Sequence, residues 1–304
     1  MLAIVIVAFE DLENLSKCLD SIRANTYRNR QIIVIDNSLS DLVERHLSGI
    51  PDVDYQRTGR NIGFSRGCNL GIERSFGCGA DYTFMLNPDT ELDSNCLEEL
   101  IRTAESLPEV GIVGGKIRYA AAPDRLWYAG GRLDYLTGVG KHFQTEATDD
   151  GSGVREVTYA TGCCMLIPNS VLKRIGQFKE SIFMYLDDAE FCMRIRRYGY
   201  RIYYNPKATL SHVVSPGMYA RNYSDYYLYF SIRNKPLVAD GGIYGLYLHA
   251  VAMMLAFGKL GVYALSPGVG SRAAKLRAIM WGAWDSIFKE AREESRFPQL
   301  FRKR

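Results

Sequence analysis

The stretch LAIVIVAFEDLENLSKCLDSI, Leu2 to Ile22, carries both periods of an α/β fold one after the other. Leu2 to Phe9 is an unbroken apolar run, as expected of a strand covered on both faces, and Leu15, Leu19 and Ile22 then recur at helical spacing. The pattern repeats outward. Ile32 to Ile35 reads as a second strand stopped by the turn formers Asp36-Asn37-Ser38, Leu39 to Leu47 as a helix, and Tyr82 to Leu86 as a further strand running into Asn87-Pro88. Strands alternating with helices at this spacing predict a parallel sheet, and such sheets bind ligands at the carboxyl ends of their strands. Phe9-Glu10, Asp36-Asn37 and Asn87-Pro88-Asp89 are therefore expected on one rim.

Beyond about residue 110 the pattern loosens into Gly-rich turns at Gly114-Gly115, Gly130-Gly131 and Gly138 to Gly140. Ala189 to Tyr200 reads as a helix that follows the acidic pair Asp187-Asp188. Gly242 to Leu265 is almost wholly apolar or aromatic, interrupted by His249 and Lys259. After Ser266-Pro267-Gly268, the residues Leu276, Ile279, Met280, Ala283 and Ile287 fall on one helical face, with Lys275, Arg277 and Lys289 among the polar positions.

With 304 residues, 47% apolar and 23% charged, the chain can bury a large core. Its seven cysteines include the adjacent Cys163-Cys164 and show no C-x-x-C spacing, which suggests structural thiols in a reducing compartment. Met1 to Phe9 is too short for a signal peptide and runs straight into Glu10-Asp11, so a cytoplasmic location is expected. Charge is unevenly spread. From Gly241 onward there are ten Lys/Arg against four Asp/Glu, and before it 27 against 30. A basic tail with interleaved aromatics on a mildly acidic body points to anionic lipid rather than nucleic acid.

A dinucleotide-binding dehydrogenase would carry Gly-x-Gly-x-x-Gly after the first strand, where this chain has Ala8-Phe9-Glu10-Asp11-Leu12. Side chains at the rim must then do the binding. Asp36 at a strand end is either an Asx turn former or an acceptor for a base N–H or ribose hydroxyl. Asn87-Pro88-Asp89 is either ordinary turn chemistry or a hard-oxygen site for Mg²⁺ or Mn²⁺ against phosphate. Asn61 to Gly71 (NIGFSRGCNLG) combines amide side chains with permissive glycines. Asp187-Asp188, with Glu190 and Arg194 beyond, either favours a helix dipole or crowds carboxylates until one is tuned as a general base. His212 follows another short strand and Arg233-Asn234 an aromatic stretch.

Taken in order, IIVIDNS (Ile32 to Ser38), NIGFSRGCNLGI (Asn61 to Ile72), LNPDT (Leu86 to Thr90), TGCCMLI (Thr161 to Ile167) and MYLDDAEFCMRIRRYGY (Met184 to Tyr200) resemble glycosyltransferase family 2, most of all its rhamnosyltransferase-like branch, over about residues 1 to 235. The resemblance implies a GT-A (Rossmann-like) α/β fold, a mainly parallel sheet flanked by helices, here with a C-terminal helical, partly apolar extension. It also implies a nucleotide diphosphate sugar donor, a divalent metal (Mg²⁺ or Mn²⁺) and inversion at the anomeric carbon. Position by position, Asp188 aligns with the family's catalytic base and Asp187 with its acidic neighbour. Asp89 matches the last residue of the DxD-like metal motif, whose first place is taken here by Asn87, and His212 resembles the family's late histidine. Ala8, Glu10, Asp36, Asn61, Gly63, Arg66, Asn69, Asn87 and Arg233 fall where the family binds donor. Asp187 for Glu and Glu190 for Asp depart from the pattern and leave open how these carboxylates divide the work.

The expected organisation is a catalytic domain over residues 1–235, with a nucleotide-binding half to about 115 and an acceptor-binding half from 116, and an extension over 236–304 that associates with membrane or with another copy of the chain. The expected activity is sugar transfer to a glycan or lipid-linked acceptor in cell-surface polysaccharide synthesis, at the cytoplasmic face of the membrane. Two rivals are a sugar-nucleotide nucleotidyltransferase, which would need a Gly-rich, Lys/Arg-bearing loop where Glu10-Asp11 stands, and a non-catalytic glycan-binding protein of the same fold, which would have lost the carboxylates.

Overall fold

Seven consecutive apolar side chains leave strand β1 (Leu2–Ala8) no wet face, and all seven are buried in the middle of a sheet. The computed structural model describes residues 1–143, 153–213, 224–239, 241–265, 272–288 and 293–300. In it β1 pairs in parallel with β2 (Arg30–Asp36) on one side and with β4 (Tyr82–Leu86) on the other, and β3 (Val53–Arg57) extends the parallel set beyond β2. Helix α1 (Leu12–Ala24) starts where the Asp11 carboxylate accepts the Asn14 N–H at 3.1 Å, and it buries Leu15, Cys18, Leu19 and Ile22. The helix predicted over Leu39 to Leu47 is shorter, α2 (Leu42–Leu47), because the N–H groups of Leu39 and Ser40 donate to Glu10 instead.

Past β4 the sheet becomes mixed. β6 (Val110–Tyr119) and β12 (Arg201–His212) run parallel to each other, and β11 (Cys164–Pro168) lies antiparallel between β4 and β6. Three more strands pair antiparallel at this end: β5 (Thr90–Leu92) and β10 (Arg155–Val157) on β12, and β7 (Ala122–Tyr128) on β6, for ten strands in all. A separate hairpin, β8 (Gly131–Asp134) with β9 (Val139–His142), holds two of the Gly-rich turns.

The amide- and glycine-rich block after β3 forms helix α3 (Phe64–Gly77), which packs on β1 at very short range. A Cβ at Gly71 would stand 2.1 Å from Val5 Cγ1, and one at Gly67 would stand 2.8 Å from Val7 Cγ1. Glycine is required there by space. Helix α6 (Asp187–Arg197) begins two residues before the predicted Ala189, so both aspartates sit in its first turn, and it stops ahead of Gly199 at φ +84°. All seven cysteines are free thiols.

Helices α7 (Asp225–Arg233), α8 (Gly242–Leu265) and α9 (Arg272–Phe288) share a second apolar cluster built on Leu228, Tyr229, Phe230, Ala252, Ala256 and Ile279. Helix α9 splits the predicted face: Ile279 is buried, Leu276 and Ala283 are half-buried, and Met280 and Ile287 are exposed. It turns Lys275, Ala278, Ile279, Gly282, Asp285 and Ser286 inward and exposes Met280, Trp284, Ile287 and Phe288. Polar residues can face inward because they are partnered: Tyr229 donates to Asp285 at 2.7 Å and Arg296 pairs with it at 3.2 Å. Among the described residues α8 is the helix long and apolar enough to cross a membrane, and Ile243, Leu246 and Phe257 on it are 87%, 74% and 74% exposed. The turn predicted at Ser266-Pro267-Gly268 and the position of Lys289 lie outside the described residues.

Gly71→Val should lower the unfolding free energy by about 1–3 kcal/mol through overpacking against β1. Adding Val5→Ala should recover part of that loss, read from urea midpoints; strictly additive effects of the two changes would show that the helix does not rest on Val5.

Candidate active site

The rim forms as the strand pattern requires, since Ala8 and Asp36 are partners across β1 and β2 and Asn37 N–H donates to Ala8 C=O at 2.9 Å. Asp36 is fully buried. One of its oxygens accepts Ser38 N–H at 2.8 Å and the other the Tyr55 hydroxyl at 2.7 Å, while burial, and then this carboxylate, push the Tyr55 phenol upward. Glu10 has φ 57°, and its carboxylate folds back to accept Leu39 N–H at 2.5 Å, Ser40 N–H at 2.8 Å and the Ser40 hydroxyl at 2.6 Å. Glu10 thus shapes the loop after β2, and this arrangement occupies the place where a phosphate loop would have to lie.

The block from Asn61 joins the two halves of the molecule. Asn61 accepts Gly63 N–H at 3.0 Å, and Gly63 sits at φ +88° with its carbonyl receiving the Asn37 amide at 3.0 Å. Phe64 N–H donates to Phe183 C=O at 2.7 Å. Asn69 holds Phe178 in both directions, donating to its C=O and accepting its N–H at 2.9 Å each. Arg66 is half-exposed, 3.4 Å from Glu180.

Asp89 and His212 come together because β5 pairs with β12, setting Thr90 opposite His212, and Val213 N–H donates to Asp89 C=O at 2.9 Å. His212 Nε2 stands 3.2 Å from Asp89 Oδ1. A buried carboxylate oxygen and an imidazole nitrogen thus face each other, the donor types that Mg²⁺ or Mn²⁺ accepts, and His212 Nδ1 is buried without a hydrogen-bond partner among the described residues. The residues fit such an ion as a partial set. Among the described residues no group of three or more His, Cys, Asp or Glu stands together, so further ligands would have to come from a bound diphosphate or water. Asn87 lends only backbone here: its C=O accepts the Thr90 hydroxyl at 2.7 Å and its N–H donates to Cys163 C=O at 3.2 Å.

The three carboxylates of α6 occupy three different environments. Glu190 is buried and neutralised by Arg194, whose guanidinium makes two bonds of 2.9 Å to it and also donates to Ile175 and Gln177 carbonyls. Asp187 is buried with no ion-pair partner among the described residues, and burial first, then the charge of Asp188, push its carboxyl up to about 8. Asp188 is half-buried and accepts every bond it makes, from the Tyr159 hydroxyl, from Gly162 N–H at 3.3 Å and from Ala189 N–H at 2.8 Å, the pattern of an ionised carboxylate. The loop leading into this helix places Tyr185 and Leu186 at φ 63° and 65°, a strained pair of non-glycine residues. Asn234 restrains it by donating to Met184 C=O at 2.8 Å and Tyr185 C=O at 3.1 Å, and Arg233 donates to Ser181 C=O. Arg233 therefore braces the acidic helix.

A row of rings absent from the sequence reading links the two ends of the site. Trp127 meets His212 and His142 edge-on at 4.6 Å each, and His142 stacks on Tyr159 at 5.9 Å. His142 Nδ1–H donates to Trp127 C=O at 3.1 Å, and burial holds this imidazole below its ordinary value.

The family described as "Glycosyltransferase like family 2" matches residues 1–235. The "Low-salt glycan biosynthesis hexosyltransferase Agl10" of Haloferax volcanii is 29% identical, over 79% of this chain and 75% of its own. An "N-acetylglucosaminyl-diphospho-decaprenol L-rhamnosyltransferase" of Mycobacterium tuberculosis is 25% identical over 70% and 76%. Two solved structures share the fold at 14% identity. A mannosyltransferase from Pyrobaculum calidifontis in complex with GDP-Man and Mn²⁺ aligns with TM-score 0.56 over 95% of this chain and 88% of its own. GalNAc-T7 with UDP, GalNAc and Mn²⁺ aligns with TM-score 0.62 over 97% of this chain, which spans 57% of that protein.

A carboxyl raised in the folded state binds its proton more tightly there than in the unfolded chain. The stability it contributes is present below the ordinary aspartate range and is lost as pH rises through about 8. Asp187→Asn should accordingly raise the thermal midpoint by a few degrees more at about pH 8.5 than at about pH 5. Equal shifts at both pH values would mean that Asp187 is already ionised in the folded protein.

Proposed function

Because the chain belongs to glycosyltransferase family 2, we propose that it is an inverting, metal-dependent hexosyltransferase that moves a sugar from a nucleotide diphosphate donor to a lipid-linked or glycan acceptor. The observation that carries this reading is the sorting of the α6 carboxylates: Arg194 pairs with Glu190, burial favours the neutral form of Asp187, and Asp188, half-buried, only accepts hydrogen bonds, as a base would. Asp188 takes the proton of the acceptor hydroxyl as that oxygen bonds to the anomeric carbon. The bond from that carbon to the diphosphate breaks with its electron pair leaving on the diphosphate, and the single displacement inverts the centre. Mg²⁺ or Mn²⁺, when held by Asp89, His212 and the diphosphate, supplies charge neutralisation at the leaving group.

In this reading Asp36, Ala8, Asn61 and Gly63 form the donor wall, with Arg66 at its edge. Glu10, Asn69, Asn87 and Arg233 give that wall its shape through the bonds described above. The residues 1–115 and 116–235 are the donor and acceptor halves, and 236–304 the extension. The name of the mycobacterial relative tilts the donor toward a deoxyhexose and the acceptor toward a lipid diphosphate. The nucleotidyltransferase rival is disfavoured by Glu10, whose folded-back carboxylate stands where that enzyme needs a cationic loop. A non-catalytic role is disfavoured by the presence of both Asp89 and Asp188.

The extension supports peripheral docking on the cytoplasmic leaflet, because α9 exposes Met280, Trp284, Ile287 and Phe288 and α8 exposes Ile243, Leu246, Met254 and Phe257. Self-association through the same surface is the competing occupant.

Asp188→Asn should lower turnover by about 10²–10⁴-fold with donor affinity nearly intact, whereas Asp89→Ala should abolish the enhancement of donor binding by Mn²⁺ in calorimetry. Full turnover in the first variant, or unchanged metal dependence in the second, would remove the role assigned. Release of nucleoside diphosphate, rather than pyrophosphate, distinguishes sugar transfer from the nucleotidyltransferase rival. The intact chain should float with liposomes containing phosphatidylglycerol, and Phe257→Asp with Trp284→Asp should leave it in the bottom fraction; equal flotation of both proteins would count against docking through this face.

A further inference from the structure

Tyr159 is buried, and its hydroxyl donates to Asp188 Oδ2. The hydroxyl is aimed there by an unusual packing arrangement. The β8–β9 hairpin lays two glycines against the ring: a Cβ at Gly131 would stand 2.7 Å from Tyr159 Cδ1, and one at Gly140 would stand 2.1–2.4 Å from three ring carbons. Any side chain at Gly140 would displace the ring. His142 of the same hairpin stacks over the ring, the Tyr128 hydroxyl donates to Tyr159 C=O at 2.7 Å, and Tyr159 N–H donates to Gly131 C=O at 3.2 Å. The ring is thus fixed from the hairpin side and from its own backbone. The Gly130-Gly131 and Gly138 to Gly140 turns, which the chemistry above left unused, form the seat of this tyrosine.

We propose that Tyr159 is a positioning residue for the base: with Gly162 N–H it fixes Asp188 Oδ2, so that Oδ1, which accepts only the Ala189 N–H of its own helix, is the oxygen presented to the acceptor hydroxyl. This rests on the assignment of Asp188 as base. A carboxylate can rotate about its terminal torsion, and a donor clamped to one oxygen confines the other to one direction. The proton moves from the acceptor oxygen to Oδ1 of Asp188 while that oxygen bonds to the anomeric carbon and the diphosphate departs with the electron pair. Tyr159 keeps its own proton throughout, since burial and then the Asp188 charge push its phenol well above the usual range. Trp127 and His142 continue the same wall to His212, so the fixed base faces the metal-side residues across a row of rings.

The test is a double-mutant cycle on turnover. Tyr159→Phe keeps the ring in its glycine seat and removes only the donor. With dTDP-rhamnose, UDP-galactofuranose or UDP-glucose as donor and a short-chain polyprenyl-diphospho-N-acetylglucosamine as acceptor, it should lower kcat by about 10- to 100-fold, as loss of a hydrogen bond to a charged group does, with acceptor KM and calorimetric donor affinity within about twofold. In the Asp188→Asn background the same change should alter kcat less than about twofold, because no base remains to be positioned. A merely structural tyrosine would lower the thermal midpoint and would cost kcat equally in both backgrounds. Wild-type turnover with unchanged kcat in Tyr159→Phe, or an equal loss in both backgrounds, overturns the proposal alone. A wild-type chain that releases no nucleoside diphosphate from any of these donors overturns the transferase reading and this inference with it.

Discussion

Helix α3 can rest on β1 only where Gly67 and Gly71 present bare backbone to Val7 and Val5. That approach sets more than one packing distance. It brings the start of the helix, at Gly63, to the carboxyl end of the sheet, where Asn37 reaches the Gly63 carbonyl and Phe64 reaches Phe183. A helix one side-chain layer farther out would lose both bonds and, with them, the seam between α3 and the segment that leads into α6. The strands supply the rim, and the glycines of α3 supply its depth.

Electrostatics then acts on a prepared scaffold. Three carboxylates within four residues of one helix repel one another in any common environment, and the dipole at the start of α6 offsets only part of that. The fold separates them by surroundings: a guanidinium for Glu190, burial for Asp187, hydrogen-bond donors and partial exposure for Asp188. Burial favours the neutral form of Asp187 and Arg194 balances the charge of Glu190, so the cluster carries less negative charge than three free carboxylates would.

Legibility in the sequence followed locality. β1 and Tyr82–Leu86 could be read because buried strands announce themselves as continuous apolar runs, and the order of motifs was enough to expect the GT-A fold. Helix α3 was hidden, since a face made of Gly, Ser and Asn has the composition of a loop and forms a helix only against β1. The start of α6 was misjudged by two residues because Tyr185 and Leu186 adopt left-handed conformations in a loop held by Asn234, 49 residues after Tyr185, and by Arg233. Helix α9 kept its predicted face only in part, with Ile279 in the second cluster and Met280 and Ile287 facing out, since the period of a helix does not say which side meets the protein. Tyr159 could not be found at all, because what marks it is two glycines on a hairpin and an aspartate 29 residues away.

Between α5 (Asn169–Ile175) and α6 the chain has no regular structure, yet it is gripped from three directions: by Asn69 at Phe178, by Phe64 at Phe183, and by Arg233 and Asn234 at Ser181, Met184 and Tyr185. Its shape belongs to its neighbours rather than to itself. A chimera spliced from two relatives near residue 115 would take the lock from one parent and the key from the other. Each half could keep its strands and helices intact, and the acidic helix would still enter the cleft at the wrong angle.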